Sequence, residues 1–272
     1  AMATGRFADA IVSFSVALRL NPGDATALTG RAASYHHIGR WDRSLADYRA
    51  FRTLQPSWDV GLFGELRALS RLGRTEEALG LIRAKLESAP ENAVALQALV
   101  MLAKRDGDYA EALAALDAGL AASPDDFSLL SQRGEARALA GDADGARADF
   151  SLMRRMAAGD PALMNNVCWS QAISGFDLDQ ALADCDIAVA SGEAGIIDSR
   201  AMVLLQLERY AEAKAAYDQA LEAMPDLMAS LYGRGLARLA LGDDGGREDM
   251  ARARSLDVDV AEDFAVFEAR HP

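Results

Sequence analysis

"ALTGRAASYHHIGRWDRSLADYRAFRTLQP", residues 27–56, reads as two amphipathic helices separated at Gly39 and closed at Pro56. Leu28 and Ala32 fall one turn apart on the first helix, and Ser44 and Tyr48 do so on the second. Ala32 and Ser44 are small, which lets two helices cross closely, whereas Tyr48 is large enough to reach a neighbouring helix. Gly39 stands where the first helix must end in a left-handed residue, a conformation glycine adopts without steric cost. Proline cannot continue a helix, so Pro56 ends the second one. Such a hairpin has more apolar surface than it can bury alone.

The rest of the chain repeats it. Gly5, Gly39, Gly73, Gly107, Gly141 and Gly175 are 34 residues apart, and Pro22, Pro56, Pro90 and Pro124 keep the same interval. Cut in this register, the chain gives units 25–58, 59–92, 93–126, 127–160, 161–193, 194–227 and 228–259. The fourth place of each is apolar: Leu28, Leu62, Leu96, Leu130, Met164, Ile197 and Leu231. The eighth place is small or modest in size, and the twentieth is usually Ala or Ser. The twenty-fourth carries Tyr48, Ile82, Leu116, Phe150, Cys185, Tyr217 or Met250. Asn92, Asp108, Asp126 and Asp142 sit where side-chain oxygens can accept from the free amides of a helix start. Arg31 with Asp47, Arg133 with Asp149, and Arg234 with Asp249 hold matching places on paired helices, so each pair is expected to form a bridge. Arg200 faces Ala216 instead and is expected to be freer.

With these columns, most fully in 27–56 and in "MVLLQLERYAEAKAAYDQALEAMP" (202–225), the chain resembles the tetratricopeptide-repeat family over nearly its whole length. The resemblance implies an all-α fold, an α-solenoid in which antiparallel helix pairs wind into a right-handed superhelix, with 1–272 as a single domain. Three places depart from the pattern: Glu208 replaces the glycine, 174–182 has one residue extra, and 242–250 has one fewer. Residues 5–22 read as the second helix of a unit whose first helix is missing, as in a piece of a longer protein. Phe7, Ile11 and Phe14 are expected to form an exposed edge there that favours a homo-oligomer. Residues 260–270 read as a capping helix, with Val260, Phe264 and Phe267 on one face.

Composition narrows the function. The net charge of −13 disfavours nucleic acid, whose backbone demands concentrated Lys and Arg. No apolar run is long enough to insert in a membrane, and cytoplasm and periplasm both stay open. Cys168 and Cys185 lack the close spacing of a zinc site and are expected to be two packed thiols rather than a disulfide. His36 and His37 diverge by about 100° on a helix, which is poor geometry for one metal. No phosphate loop, metal motif or nucleophile constellation is present, so neither an enzyme nor a cofactor is expected.

The family resemblance implies that first helices line a concave groove that receives a peptide or helix. The second, fifth, ninth, twelfth and thirteenth places of each unit then line it. Phe63, Arg67, Arg71, Gln97, Met101, Lys104 and Arg105 give an early stretch with a basic strip. Asn165, Trp169, Met202 and Tyr232 give a later, more apolar stretch, alongside Asp198 and Gln206. The strip suits an acidic segment, because Arg pairs bidentately with carboxylates, and the aromatic residues suit apolar anchors. A chaperone-tail clamp of the kind one family subgroup carries is not expected, since no fifth place holds Lys. The reading is a non-catalytic scaffold for a protein or peptide partner. The alternative is a structural or oligomerisation module of a larger protein.

Overall fold

The computed structural model describes residues 2–189 and 192–271, with side chains from residue 6 onward. Sixteen α-helices and one well-defined 3-10 turn account for most of the described residues, and no strand occurs among them. The chain divides into two compact units, 1–124 and 125–272.

The first unit holds α1 (Met2–Leu20), α2 (Ala25–His37), α3 (Trp41–Leu54), α4 (Asp59–Arg71), α5 (Thr75–Ser88), α6 (Ala93–Asp106) and α7 (Ala110–Ala122). Sequential helices pack on one another, and α2, α4 and α6 also lie side by side. The second unit holds α8 (Phe127–Ala140), α9 (Ala143–Met156), α10 (Pro161–Ser174), α11 (Leu178–Ala188), α12 (Ala194–Gln206), α13 (Tyr210–Ala223), α14 (Met228–Ala240) and α15 (Gly246–Leu256). There α8, α10, α12 and α14 form the row of first helices. Residues 260–270 are not one helix but a 3-10 turn (Val260–Phe264) followed by α16 (Ala265–Arg270). Each unit is thus a stack of helix pairs, an all-α solenoid.

The local signals act as physical chemistry requires. Asn92, Asp126 and Asp142 accept from the amides of Ala95, Leu129 and Gly145. At the end of the first helices Gly39, Gly73, Gly107, Gly141 and Gly175 all have positive φ. Glu208, where the glycine is replaced, still takes the left-handed conformation at φ 60°. The repeat geometry therefore dictates the backbone even against the residue's preference.

Packing between pairs is built from rings seated on glycines. A Cβ on Gly30 would collide with the ring of Phe14, one on Gly64 with Tyr48, and one on Gly233 with Tyr217. Each ring comes from the second helix of one pair and each glycine from the first helix of the next. All three predicted bridges form: Arg31–Asp47, Arg133–Asp149 and Arg234–Asp249, each at 2.7 Å. Arg200 is not free, because its Nε donates to Asp186 at 2.6 Å. Cys168 and Cys185 are joined as a disulfide, with Cα atoms 5.4 Å apart, where two thiols were expected. Both face the α10–α11 contact, so the close crossing that buries them also brings their sulfurs together. The expected exposed edge on α1 is corrected too. Phe7, Ile11 and Phe14 turn inward and are partly covered, Phe7 stacking on His37 at 4.3 Å, and the outward stripe is Val12, Val16 and Leu20.

Candidate functional site

In the first unit, α4 and α6 leave a slot between them whose floor is supplied by α5. Phe63, Leu66, Arg67 and Ser70 of α4 face Val94, Gln97, Ala98 and Met101 of α6, above Ala78 and Ile82. The slot is shallow and open to solvent. Leu66, Ala78 and Ile82 are buried, whereas Phe63 and Gln97 are exposed and Met101 is half-buried. The Arg67 guanidinium stands 5.4 Å from the centroid of the Phe63 ring, which holds a cation at the mouth of an apolar trough. Four sequence-predicted residues, Phe63, Arg67, Gln97 and Met101, are therefore brought together.

The rest of the basic strip divides. Arg71 is half-buried and Lys104 exposed at the ends of the same two helices. Arg105 is diverted: its Nε donates to Asp106 at 2.9 Å and its Nη2 to Thr75 Oγ1 at 2.8 Å. The neighbouring carboxylate that the sequence places after Arg105 captures it. His36 is buried at 4% exposure rather than lining a groove.

In the second unit the first-helix face has a different fate. Trp169 is half-buried against the core of this unit. Asn165 is half-buried, and its Oδ1, like Gln132 Oε1 on α8, is a buried acceptor with no partner among the described residues. Met202 and Tyr232 were expected to face a partner, but both have no exposed surface. Met202 lies under α13, with the Tyr217 hydroxyl 4.0 Å from its sulfur, and Tyr232 is covered by the 3-10 turn and α16. The Phe264 ring lies 5.0 Å from that of Tyr232, and Phe267 packs edge-on against Tyr210. Tyr232 donates its hydroxyl proton to Glu268 at 2.7 Å, and burial together with that carboxylate pushes the phenol up to about 12. Arg254 Nη2 donates to the same hydroxyl oxygen at 2.6 Å.

Both faces belong to helix pairs of one recurring kind, and the tetratricopeptide-repeat family model matches residues 1–57, 98–161 and 199–254, well over half of the chain. The chain belongs to that family.

A tetratricopeptide repeat protein from Parabacteroides merdae is similar at 18% identity and a TM-score of 0.56, over 86% of this chain and 93% of that one. Yeast Tom70 is similar at 17% identity and a TM-score of 0.59, over 95% of this chain and 55% of its own length. At such identities the likeness shows the fold alone. No curated protein matches the sequence. Membership makes this tetratricopeptide-repeat protein a protein-interaction scaffold in general terms.

Two features of this tetratricopeptide-repeat protein escaped sequence reasoning. Glu65, 2% exposed, accepts from Arg49 Nε at 2.8 Å and from Arg52. Asp184, 1% exposed, accepts from Arg154 Nε at 2.8 Å, while Arg154 also donates to Gln171. Both carboxylates are buried with charge-assisted partners, as burial of an ion requires. They are structural. Neither has a spacing that distinguishes it from a solvated charge. Among the described residues no group of three His, Cys, Asp or Glu side chains could hold a metal, and no helix is long and apolar enough to cross a membrane.

Proposed function

We propose that the protein is a non-catalytic scaffold whose α4–α6 slot docks a short partner segment that carries an apolar anchor and acidic flanks. The observation that carries the reading is the slot itself: an apolar floor of Leu66, Ala78 and Ile82 beneath a rim that includes Phe63, Arg67 and Met101. An amphipathic segment laid in such a trough buries its apolar side chains and leaves its carboxylates at the rim. Arg67, with Arg71 and Lys104 at the ends of the same helices, supplies the complementary charge. An isolated segment is expected to bind at about micromolar strength, because ordering it costs free energy.

The test is selection of phage-displayed random peptides on the full chain, followed by rebinding to a Phe63→Ser/Met101→Asp variant. The selected pool should be rich in Asp and Glu beside Phe, Leu or Trp, and binding should fall at least about tenfold, or 1.4 kcal/mol. Equal binding to both proteins would discard the slot. Replacing Arg67, Arg71 and Lys104 with Ala should weaken acidic members of the pool and spare uncharged ones.

A second reading rests on α1. Val12, Val16 and Leu20 are 64%, 41% and 84% exposed, spaced four residues apart on one face. Such a stripe suits the same stripe of a second copy. Sedimentation over a range of concentrations should show a dimer that Val12→Asp/Val16→Asp abolishes, and a concentration-independent monomer rules it out.

A further inference from the structure

We infer that the pocket between α11 and α13, on the second-helix side of the second unit, is a carboxylate-binding site built on Arg200. Its occupant is an acidic side chain of a partner polypeptide.

The column to which Arg200 belongs shows what such a place accepts. Arg31, Arg133 and Arg234 hold the same place in their units. Each turns Nε and Nη2 to the two oxygens of one aspartate on the second helix of its own pair. Arg31 meets Asp47 with both bonds at 2.7 Å, Arg133 meets Asp149 at 3.0 and 2.7 Å, and Arg234 meets Asp249 at 2.8 and 2.7 Å. The preceding second helix supplies a further acceptor for Nη1: Ser15 Oγ of α1 at 3.3 Å from Arg31, and Asp218 Oδ1 of α13 at 3.0 Å from Arg234. The guanidinium at this place thus stands between two second helices with an acceptor on either side.

Arg200 has one side only. Asp186 of α11 accepts from its Nε at 2.6 Å. On the α13 side the aspartate of the other pairs is replaced by Ala216, which has no side-chain acceptor. Among the described residues Nη1 and Nη2 of Arg200 donate to nothing, and the side chain is 29% exposed. A pocket open to solvent lies at this place, lined by Asp186 and Val189 at the end of α11, Ile197 and Arg200 of α12, and Ala216 and Gln219 of α13. Buried Ile197 and Ala216 offer an apolar wall for a methylene stem, and the exposed Gln219 amide adds a donor. A planar guanidinium with its outer nitrogens unpaired takes a carboxylate bidentately.

Neighbouring carboxylates do not fill the place, because other cations hold them. Glu212 accepts from Arg209 at 2.8 and 2.6 Å, and Asp218 from Lys214 and Arg234. Their charge, with that of Asp186, discourages a free anion. A carboxylate delivered on a polypeptide is kept in place by that chain's other contacts, and a side-chain carboxylate is what the three related pairs hold.

The test titrates the ¹⁵N-labelled full chain with N-acetylglutamate N-methylamide, and separately with glutarate, at constant ionic strength, following the Arg200 and Gln219 side-chain signals. Both should shift and saturate with the capped glutamate at about millimolar strength, since one exposed ion pair is weak. Ala216→Asp supplies the carboxylate from within and should weaken binding at least tenfold while raising the melting temperature. Shifts that do not saturate, or that Ala216→Asp leaves unchanged, overturn the site. So does binding that Phe63→Ser/Met101→Asp removes, which would place the probe in the α4–α6 slot. Tighter binding of glutarate than of the capped glutamate overturns the polypeptide occupant. Should Ala216→Asp fail to fold, Arg200→Gln decides, because the half-buried Arg200 fills no core: the Gln219 shift must weaken at least tenfold, and an unchanged shift refutes the inference.

Discussion

Asp198→Asn should stabilise the protein at pH 8 and do nothing at pH 4. Asp198 lies on α12, 6% exposed, and accepts a hydrogen bond from the fully buried Ser230 hydroxyl. Burial raises its carboxyl from 3.8 to about 7, the Ser230 bond opposes that rise, and Asp263 on the C-terminal segment adds to it. Tyr217 of α13 is buried nearby, and its own phenol is raised by burial and by Asp198. Between pH 4 and 7 the folded protein therefore keeps a proton that the unfolded chain has released. Stability then falls as pH rises through that window and levels off above it. Three pH units correspond to a ceiling of about 4 kcal/mol, and water penetration reduces this to a measurable gain of about 1 kcal/mol or more for the amide. Urea unfolding followed by circular dichroism at pH 4, 6, 7 and 8, at fixed ionic strength, measures the difference between variant and wild type, so that other carboxylates cancel. A variant less stable than wild type at pH 8, or a difference that does not change with pH, would refute the buried-acid argument.

Four further outcomes are expected. Gly64→Ala and Gly233→Ala force a Cβ into the rings of Tyr48 and Tyr217 and should each cost about 1–3 kcal/mol in thermal melts. Gly80→Ala, on α5 with open space around it, should instead gain about 1 kcal/mol. Glu208→Gly relieves a left-handed backbone at φ 60° and should stabilise by about 0.5–1 kcal/mol, the exposed contact to His271 being worth little. Reduction of Cys168–Cys185, 17 residues apart, should cost about 3 kcal/mol by loop entropy. Thiol alkylation of the protein denatured without reductant, read by mass spectrometry, checks the bond, and two labelled cysteines would deny it.

The fold was legible because its determinants are local and repeated. A glycine that must turn left-handed and a proline that must stop a helix recur at one interval, and the helix pairs follow from them. The Arg–Asp bridges were legible for the same reason: both partners sit at fixed places in one unit. The ring-on-glycine sockets left a signal that single columns hide. Phe14, Tyr48 and Tyr217 are each followed 16 residues later by Gly30, Gly64 and Gly233, whereas Ile82 is followed by Ala98. Size at one place compensates size at another, so only the pair carries the information. Phe150 breaks the rule by turning onto Gly134 of its own pair. Glu65 and Asp184 had no such partner column, and their burial is decided by arginines on other helices.

The candidate site separates what periodicity can supply from what it cannot. Helical spacing assigned Phe63, Arg67, Gln97 and Met101 to one surface, and because no other described residue of the first unit covers that surface they stand together around the slot. The same spacing assigned Met202 and Tyr232 to the equivalent face of the second unit, yet both are buried. For Tyr232 the reason is written in Val260, Phe264 and Phe267, whose spacing announces an apolar face without naming its destination. Two surfaces could receive it: the end of the stack, exposed by the last pair, or the row of first helices. The row offers the Tyr232 ring, the Tyr232 and Arg254 donors for Glu268, and the Gly175 carbonyl for Arg270. Burial of two rings plus satisfied polar ties there outweighs apolar cover alone. A tail that its own pattern reads as a cap on the last pair thus becomes, once its partners are counted, part of the core of the second unit.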